Sequence, residues 1–239
     1  MLSASGVEAN EQDTIFAEAS RELRGTCFII GFMNDEQYMA LAIQEAKRAA
    51  ELGEVPIGAV VVASRPQITP YSRVPAEEQE RLLKGYLRLA AEQGYEPGSE
   101  PDQLIVCRDF NRRELNADPA GHGEFLALRR ASEILGAWRL SNCTVYVTLE
   151  PCLMCAGLMY QARIARCVFG AYDPKGGALG SLYQVHADER LNHTFSVEGG
   201  VLGEECAKMM KDFFAARRKR NKELKRQSAR CASAGEPSE

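Results

Sequence analysis

His122 and Glu124 stand two residues apart at the head of GHGEFLALRR (121–130), where Leu126, Ala127 and Leu128 are ordinary filling for a core-facing helix. Residues two apart in a helix point roughly 200° away from each other and share no side face. At a helix start, both can turn toward whatever lies off the end. A second segment, LEPCLMCAG (149–157), supplies what could lie there. Pro151 suits a first helical turn, since its missing N–H would have no partner there. Cys152 and Cys155 are then on one face of that turn. A helix N-terminus favours anions, so both are expected as thiolates. One imidazole and two thiolates make three ligands for a tetrahedral Zn²⁺, with the fourth position left to water, which is the pattern of a catalytic site.

Other readings of each half exist. A lone C-x-x-C is equally a redox pair or half of a structural zinc ribbon, and a helix-start histidine is often a cap. The ribbon needs a second close pair, and the eight cysteines (27, 107, 143, 152, 155, 167, 206 and 231) contain none. The redox reading leaves His122 and Glu124 unexplained. H-x-E followed by P-C-x-x-C, each at a helix start, is far more specific than either part. The combination resembles the signature of zinc-dependent base deaminases. The roles follow from chemistry. Zinc makes water acidic enough to lose a proton near pH 7. Glu124, not needed as a ligand, accepts that proton and returns protons to the ring nitrogen and the departing amine. The reaction implied is hydrolytic removal of an exocyclic amine.

The elements that must position these residues begin at Met33. NDEQYMALAIQEAKRAAELG predicts a helix capped by Asn34 or Asp35, with Tyr38, Leu41, Ala42, Ala46 and Ala49 on one face and Gly53 at its end. VPIGAVVVAS (55–64) and DQLIVCRDF (102–110) read as strands. Between them, residues 66–101 read as a helical insertion flanked by Pro and Gly. The stripe of this inserted helix is Leu82, Leu83, Tyr86, Leu87, Leu89 and Ala90. A helix at 121–136, a strand at 143–149, a helix from Pro151 to about Gln161 and a strand at 165–171 follow. A Gly-rich loop (173–182), a strand near TFSVEGG and a long helix from Glu204 complete the chain. Helices alternating with buried strands indicate an α/β layered domain. Asn111 and His122 follow strand 102–110, so that strand runs toward the site. The insertion is therefore expected as a peripheral helical flap at the other end of the sheet, far from the zinc, with its apolar face packed on the domain or on a partner.

Over Met33 to about Arg220 the sequence resembles the bacterial tRNA-specific adenosine deaminases. The matching pieces are EVPIGAVVV (54–62), NRRELNADPAGHGE (111–124), YVTLEPCLMCAGLMYQARIARCVFGAYDPKGGALGS (146–181), Asn192-His193 and EECAKMMKDFFAARR (204–218). The resemblance implies a three-layer α/β/α cytidine-deaminase-like fold with a mixed five-stranded sheet. It implies one Zn²⁺ per subunit held by His122, Cys152 and Cys155, with Glu124 as proton shuttle. Asn111 would contact the target nucleoside; its other reading is a turn asparagine at a strand end. Asp173 would lie near the RNA backbone, or else be a simple Asp-Pro turn. The implied activity converts the wobble adenosine of an arginine tRNA with anticodon ACG to inosine, by a cytoplasmic homodimer that binds tRNA across both subunits and uses no organic cofactor. The family usually has DPTAHAE where this chain has Asp118-Pro119-Ala120-Gly121-His122-Gly123-Glu124. Glycine there weakens a helix start by up to about 1 kcal/mol per position but removes no functional group.

Composition agrees with a soluble globular chain: 239 residues, 45% hydrophobic and 26% charged, with a net charge of −4. No apolar run approaches the roughly 18 residues of a membrane helix, and scattered thiols fit a reducing compartment. The average charge hides a basic stretch, ARRKRNKELKR (216–226), which reads as a phosphate-contacting arm or as a solvated helix end. Three regions result: a dispensable extension (1–32), a deaminase domain (33–226) and a tail (227–239). Two rival classes stay open. A small-molecule base or nucleoside deaminase would have no use for the basic helix. A non-catalytic zinc module would have no use for Glu124.

Overall fold

The computed structural model describes residues 33–69, 72 and 74–233. The expected extension 1–32 lies outside the described residues. The first helix, α1 (Asp35–Glu51), starts where a capping box closes it: Asn34 Oδ1 accepts the Gln37 N–H and Gln37 Oε1 accepts the Asn34 N–H, both at 2.9 Å. Such a cap contributes about 1 kcal/mol. Strand β1 (Gly58–Ser64) begins later than the predicted 55–64, because the Ile57 N–H turns back to the Val55 carbonyl at 2.8 Å.

Strand β2 (Gln103–Phe110) returns antiparallel to β1, and β3 (Cys143–Leu149) runs antiparallel along its other edge. Strands β4 (Arg166–Ala171) and β5 (Ser196–Gly199) then add in parallel, giving the order β2-β1-β3-β4-β5. This is the expected mixed five-stranded sheet. Alternation along the strands divides the core in two. Ala59, Val61, Ala63, Val145, Val147, Cys167 and Phe169 pack on one side with α2 (Ala76–Glu92), α3 (Gly123–Leu135) and α4 (Leu153–Gln161). Val60, Val62, Tyr146 and Val168 pack on the other with α1 and the start of α5 (Gly203–Ser233). The result is three layers.

Register decides where the site can form. Gly58 pairs with Phe110, Ala59 with Val147, and Leu149 with Ala171, so the start of β1 and the ends of β2, β3 and β4 share one sheet edge. Segments leading into α3 and α4 leave from that edge. The insertion leaves from the opposite one, where Ser64 pairs with Gln103. At about 3.3 Å per residue the two edges are roughly 20 Å apart.

The apolar face of the insertion packs on the domain itself, one of the two outcomes expected for it. Tyr86 and Ala90 are fully buried in the same core as Leu128, Ala131 and Leu135 of α3. Gly85 lies so close to α3 that a Cβ there would sit 2.2 Å from the Leu135 carbonyl oxygen. The buried face is Gln79, Leu82, Gly85, Tyr86, Leu89 and Ala90, while Leu87 is exposed and Leu83 only half-buried. The stripe read from apolar spacing is thus rotated relative to the buried face, because it omits the glycine that permits the close crossing. It also omits Gln79, whose side-chain N–H groups reach the Thr69 and Val74 carbonyls. Among the described residues no helix is long and apolar enough to cross a membrane.

Candidate active site

Both donor segments end a strand or loop at the shared edge and start a helix. His122 is the N-cap of α3, with φ −77° and ψ 139°, and Cys152 is the N-cap of α4, with φ −74° and ψ 174°. Neither side chain caps its own helix, so both are free to point off the end. Pro151, expected inside the first turn, lies one residue before the cap. Cys155 occupies the third position of α4, and an N-cap side chain reaches toward that position. His122 Nδ1 is 3.6 Å from both sulfurs. Zinc bonds of about 2.3 Å to sulfur and about 2.0 Å to nitrogen, arranged tetrahedrally, require S···N separations of about 3.5 Å. The three donors therefore fit a zinc ion, and among the described residues they form the one group with this metal-ligating geometry.

The two thiols stand in unequal surroundings. Cys152 is held down at about 3, by the hydrogen bond from the Cys155 thiol and then by His122. Cys155 is pushed up by that same bond and by burial. His122 is raised, chiefly through its hydrogen bond to Cys152. The three groups share protons that a divalent cation would displace.

Glu124 lies beside this set, 3% exposed. Burial raises its pKa, and its Oε2 is buried without a hydrogen-bond partner. An orphaned carboxylate oxygen is costly, and this one belongs to a side chain that interacts with both Cys155 and His122. Gly123 accounts for part of the departure from DPTAHAE. A Cβ there would meet the Ile57 oxygen and the Phe110 Cα at 3.1 Å, tight contacts that glycine avoids. The helix start packs against the β1–β2 edge at the expense of propensity.

Asn111 follows β2 and is 3% exposed, with its N–H on the Ile57 carbonyl at 2.9 Å. Its neighbour Arg112 donates to the Gly121 carbonyl at 2.8 Å, which brings Asn111 beside the His122 segment. Asp173 lies in the loop after β4. Its Oδ1 accepts the Lys175 N–H at 2.9 Å, the geometry of a simple Asp-Pro turn, while its N–H donates to Glu150 Oε2 at 3.0 Å.

Two buried carboxylates escape the sequence reading. Glu150, 2% exposed, accepts the N–H groups of Asp173, Leu179 and Ser181 and the Ser181 hydroxyl. The Ala178 N–H adds a bond to the Pro151 carbonyl at 2.8 Å, so the Gly-rich loop is latched onto the segment carrying Cys152. Glu54, 1% exposed, accepts the Asn111 amide at 2.8 Å and the Leu115 N–H at 2.6 Å. Both stand inside the stretches that carry the resemblance, Glu54 in EVPIGAVVV and Glu150 in LEPCLMCAG, but the zinc chemistry assigns neither a task. Their burial was not readable, because a carboxylate next to an apolar strand looks the same as a solvated strand end.

The model of the MafB19-like deaminases matches residues 33–218. A tRNA-specific adenosine deaminase of Bacillus subtilis is 40% identical over 79% of this chain and 93% of its own length. One of Haemophilus influenzae is 36% identical over 79% of this chain and 87% of its own. A solved structure from work on A-to-I editing by tRNA:A34 deaminases at the wobble position is 32% identical, with a TM-score of 0.53 over 72% of this chain and 97% of that one. A guanine deaminase of Nitrosomonas europaea shares the fold alone, at 16% identity and a TM-score of 0.53 over 90% of this chain and 98% of that one.

Proposed function

Since the chain belongs to the MafB19-like deaminase family, we propose that it is a zinc-dependent hydrolytic adenosine deaminase acting on tRNA. Its substrate is the wobble adenosine of an arginine tRNA with anticodon ACG, and its product is inosine. The observation that carries the chemistry is the His122–Cys152–Cys155 donor set beside the unpartnered, buried Glu124 Oε2. The substrate follows from the relatives and from the surface described below.

His122, Cys152 and Cys155 hold the ion, which supplies Lewis acidity enough to make water nucleophilic near neutral pH. Glu124 does the proton work. Its Oε2 takes a proton from the attacking water and passes it to the purine ring nitrogen, then takes the proton of the added hydroxyl and passes it to the amine, which leaves as ammonia as the carbonyl forms. Burial raises its proton affinity, which suits a group that must both accept and return protons. Asn111 contacts the target nucleoside from the β2 side, and the loop bearing Asp173 lines the other side near the RNA backbone.

The basic stretch is placed to help. Along α5, Cys206, Met209, Met210, Phe213 and Arg217 turn toward the domain, and every residue from Arg218 to Ser228 is exposed. Arg217 reaches Glu114 at 3.7 Å, in the same loop that follows Asn111. The run Arg218, Lys219, Arg220, Lys222, Lys225 and Arg226 therefore starts at the rim of the site. That position suits the phosphates of an anticodon arm. A single-stranded loop presents its base at little unstacking cost. A homodimer binding tRNA across both copies, in the cytoplasm, completes the reading.

The test is to incubate the zinc-loaded protein in parallel with that tRNA, free adenosine, cytidine and guanine. Inosine in the tRNA, with far less turnover of the others, is expected. Turnover of a free base or nucleoside with the tRNA untouched would overturn the reading. Glu124→Gln should keep about one zinc per chain and lose at least about 10³-fold in kcat, whereas Cys152→Ala should lose both metal and activity.

A further inference from the structure

Asn111 carries an amide whose two ends do opposite things: Oδ1 accepts and Nδ2 donates. Which end faces a substrate decides what that substrate must offer. In this structure Nδ2 points inward and donates to Glu54 Oε2 at 2.8 Å. The other carboxylate oxygen, Oε1, accepts the Leu115 N–H at 2.6 Å. Both oxygens of a carboxylate that is 1% exposed are thus occupied by N–H donors, and no hydrogen bond among the described residues reaches Asn111 Oδ1. Glu54 is itself fixed in the chain, since its N–H donates to the Ala49 carbonyl at 2.9 Å. A flipped Asn111 amide would set its carbonyl against the carboxylate oxygen and strand both in a buried site.

We infer that Glu54 is a positioning residue: it holds the Asn111 amide in one orientation, so that Oδ1 is presented to the substrate as an obligatory hydrogen-bond acceptor. This rests on the proposed role of Asn111 at the target nucleoside and extends it to polarity. The nucleoside must bring a donor, either a ribose hydroxyl or the amine that leaves. The same carboxylate anchors Leu115, whose neighbour Glu114 meets Arg217, so the rim loop and the substrate acceptor are set by one buried group.

The polarity predicts a swap. In Glu54→Gln the side chain keeps one oxygen for Leu115 and turns an NH₂ toward Asn111, which must flip and offer Nδ2 to the substrate. In Asn111→Asp two carboxylates face each other. In the double variant the introduced glutamine amide donates to the introduced aspartate, whose second oxygen again faces outward as an acceptor. The four proteins are compared, zinc-loaded and with metal content measured, by thermal unfolding and by kcat/KM on an anticodon stem-loop carrying ACG. Each single variant should lower kcat/KM by about ten-fold or more, and the double should return to within about three-fold of wild type, with the melting temperature recovering in parallel. A stem-loop with 2′-deoxyadenosine at the target distinguishes the donors: the single-variant losses disappear if a ribose hydroxyl is bound and persist if it is the amine. A double variant as impaired as the two singles combined overturns the inference, as does recovery of melting temperature without recovery of kcat/KM. A wild type that leaves the RNA untouched instead overturns the functional reading, and the melting-temperature cycle still decides whether Glu54 holds Asn111.

Discussion

Helix α2 reads as an insertion and helix α5 runs into a basic stretch, and both carry a mixture of apolar and charged residues. They end differently. The whole length of α2 is pressed into the core, with Tyr86 and Ala90 fully buried and Gly85 against the α3 backbone. In α5 the packed face stops at Arg217, and the helix continues to Ser233 past the boundary expected at 226. From Arg218 to Arg226 it carries six cations and one carboxylate. Helices draw most of their stability from tertiary packing of one face. Giving up that packing while concentrating one charge fits the proposed contact with an external anion. The inserted helix is held by the core, and the basic end of the extended one is not.

The strongest way to break this contrast is Gly85→Leu. A side chain there must displace the Leu135 carbonyl, so α2 undocks and uncovers part of the main core. The expected loss is about 3 kcal/mol or more, read as a fall in melting temperature of about 10 °C or more or as insoluble protein. A Gly85→Leu protein that melts like the parent would show α2 to be an appendage. Leu87→Ser, on the exposed side of the same helix, serves as the paired control, within about 0.5 kcal/mol.

Truncation after Ala216 tests the other half. Zinc content and melting temperature should stay close to those of the full chain. Binding of tRNA should weaken by about ten-fold or more near physiological salt, and its log–log salt dependence should flatten by about 0.7–0.9 for each phosphate no longer neutralised. Unchanged affinity and salt slope would leave the basic run a solvated helix end.

A smaller effect compares tied with untied charges. Asp35 at the start of α1 accepts both Arg166 guanidinium nitrogens, at 2.7 and 2.8 Å, and the Tyr146 hydroxyl at 2.8 Å. The Arg166 hydrogen bonds lower its pKa most. A carboxyl with a lowered folded pKa adds stability above its unfolded value, near pH 4, and that stability is lost as the pH falls through the folded value. Asp35→Asn should cost about 1 kcal/mol at pH 7 and flatten the acid limb of a melting-temperature profile. By contrast, Lys208→Ala breaks an exposed α5 pair with Asp212, 77% and 64% exposed, and should leave the melting temperature indistinguishable from that of the parent. Equal acid limbs in Asp35→Asn and the parent would remove Asp35 from the account.

The sequence by itself determined the chemistry. His122, Glu124, Cys152 and Cys155 were legible because ligand type and helix-start position are local properties, and two helix starts suffice to aim side chains at one point. It also determined the alternation of elements, since periodicity needs only a few neighbouring residues. Three things were decided by the tertiary structure. The α2 stripe turned because Gly85, which looks like a helix breaker in isolation, is the residue that lets two helices cross closely. Glu54 and Glu150 became buried because donors from distant segments converge on them: Asn111 and Leu115 on the first, Asp173, Leu179 and Ser181 on the second. Burying a carboxylate is costly unless such donors replace its water. Those donors lie 23 to 61 positions away along the chain, so no local pattern could announce them.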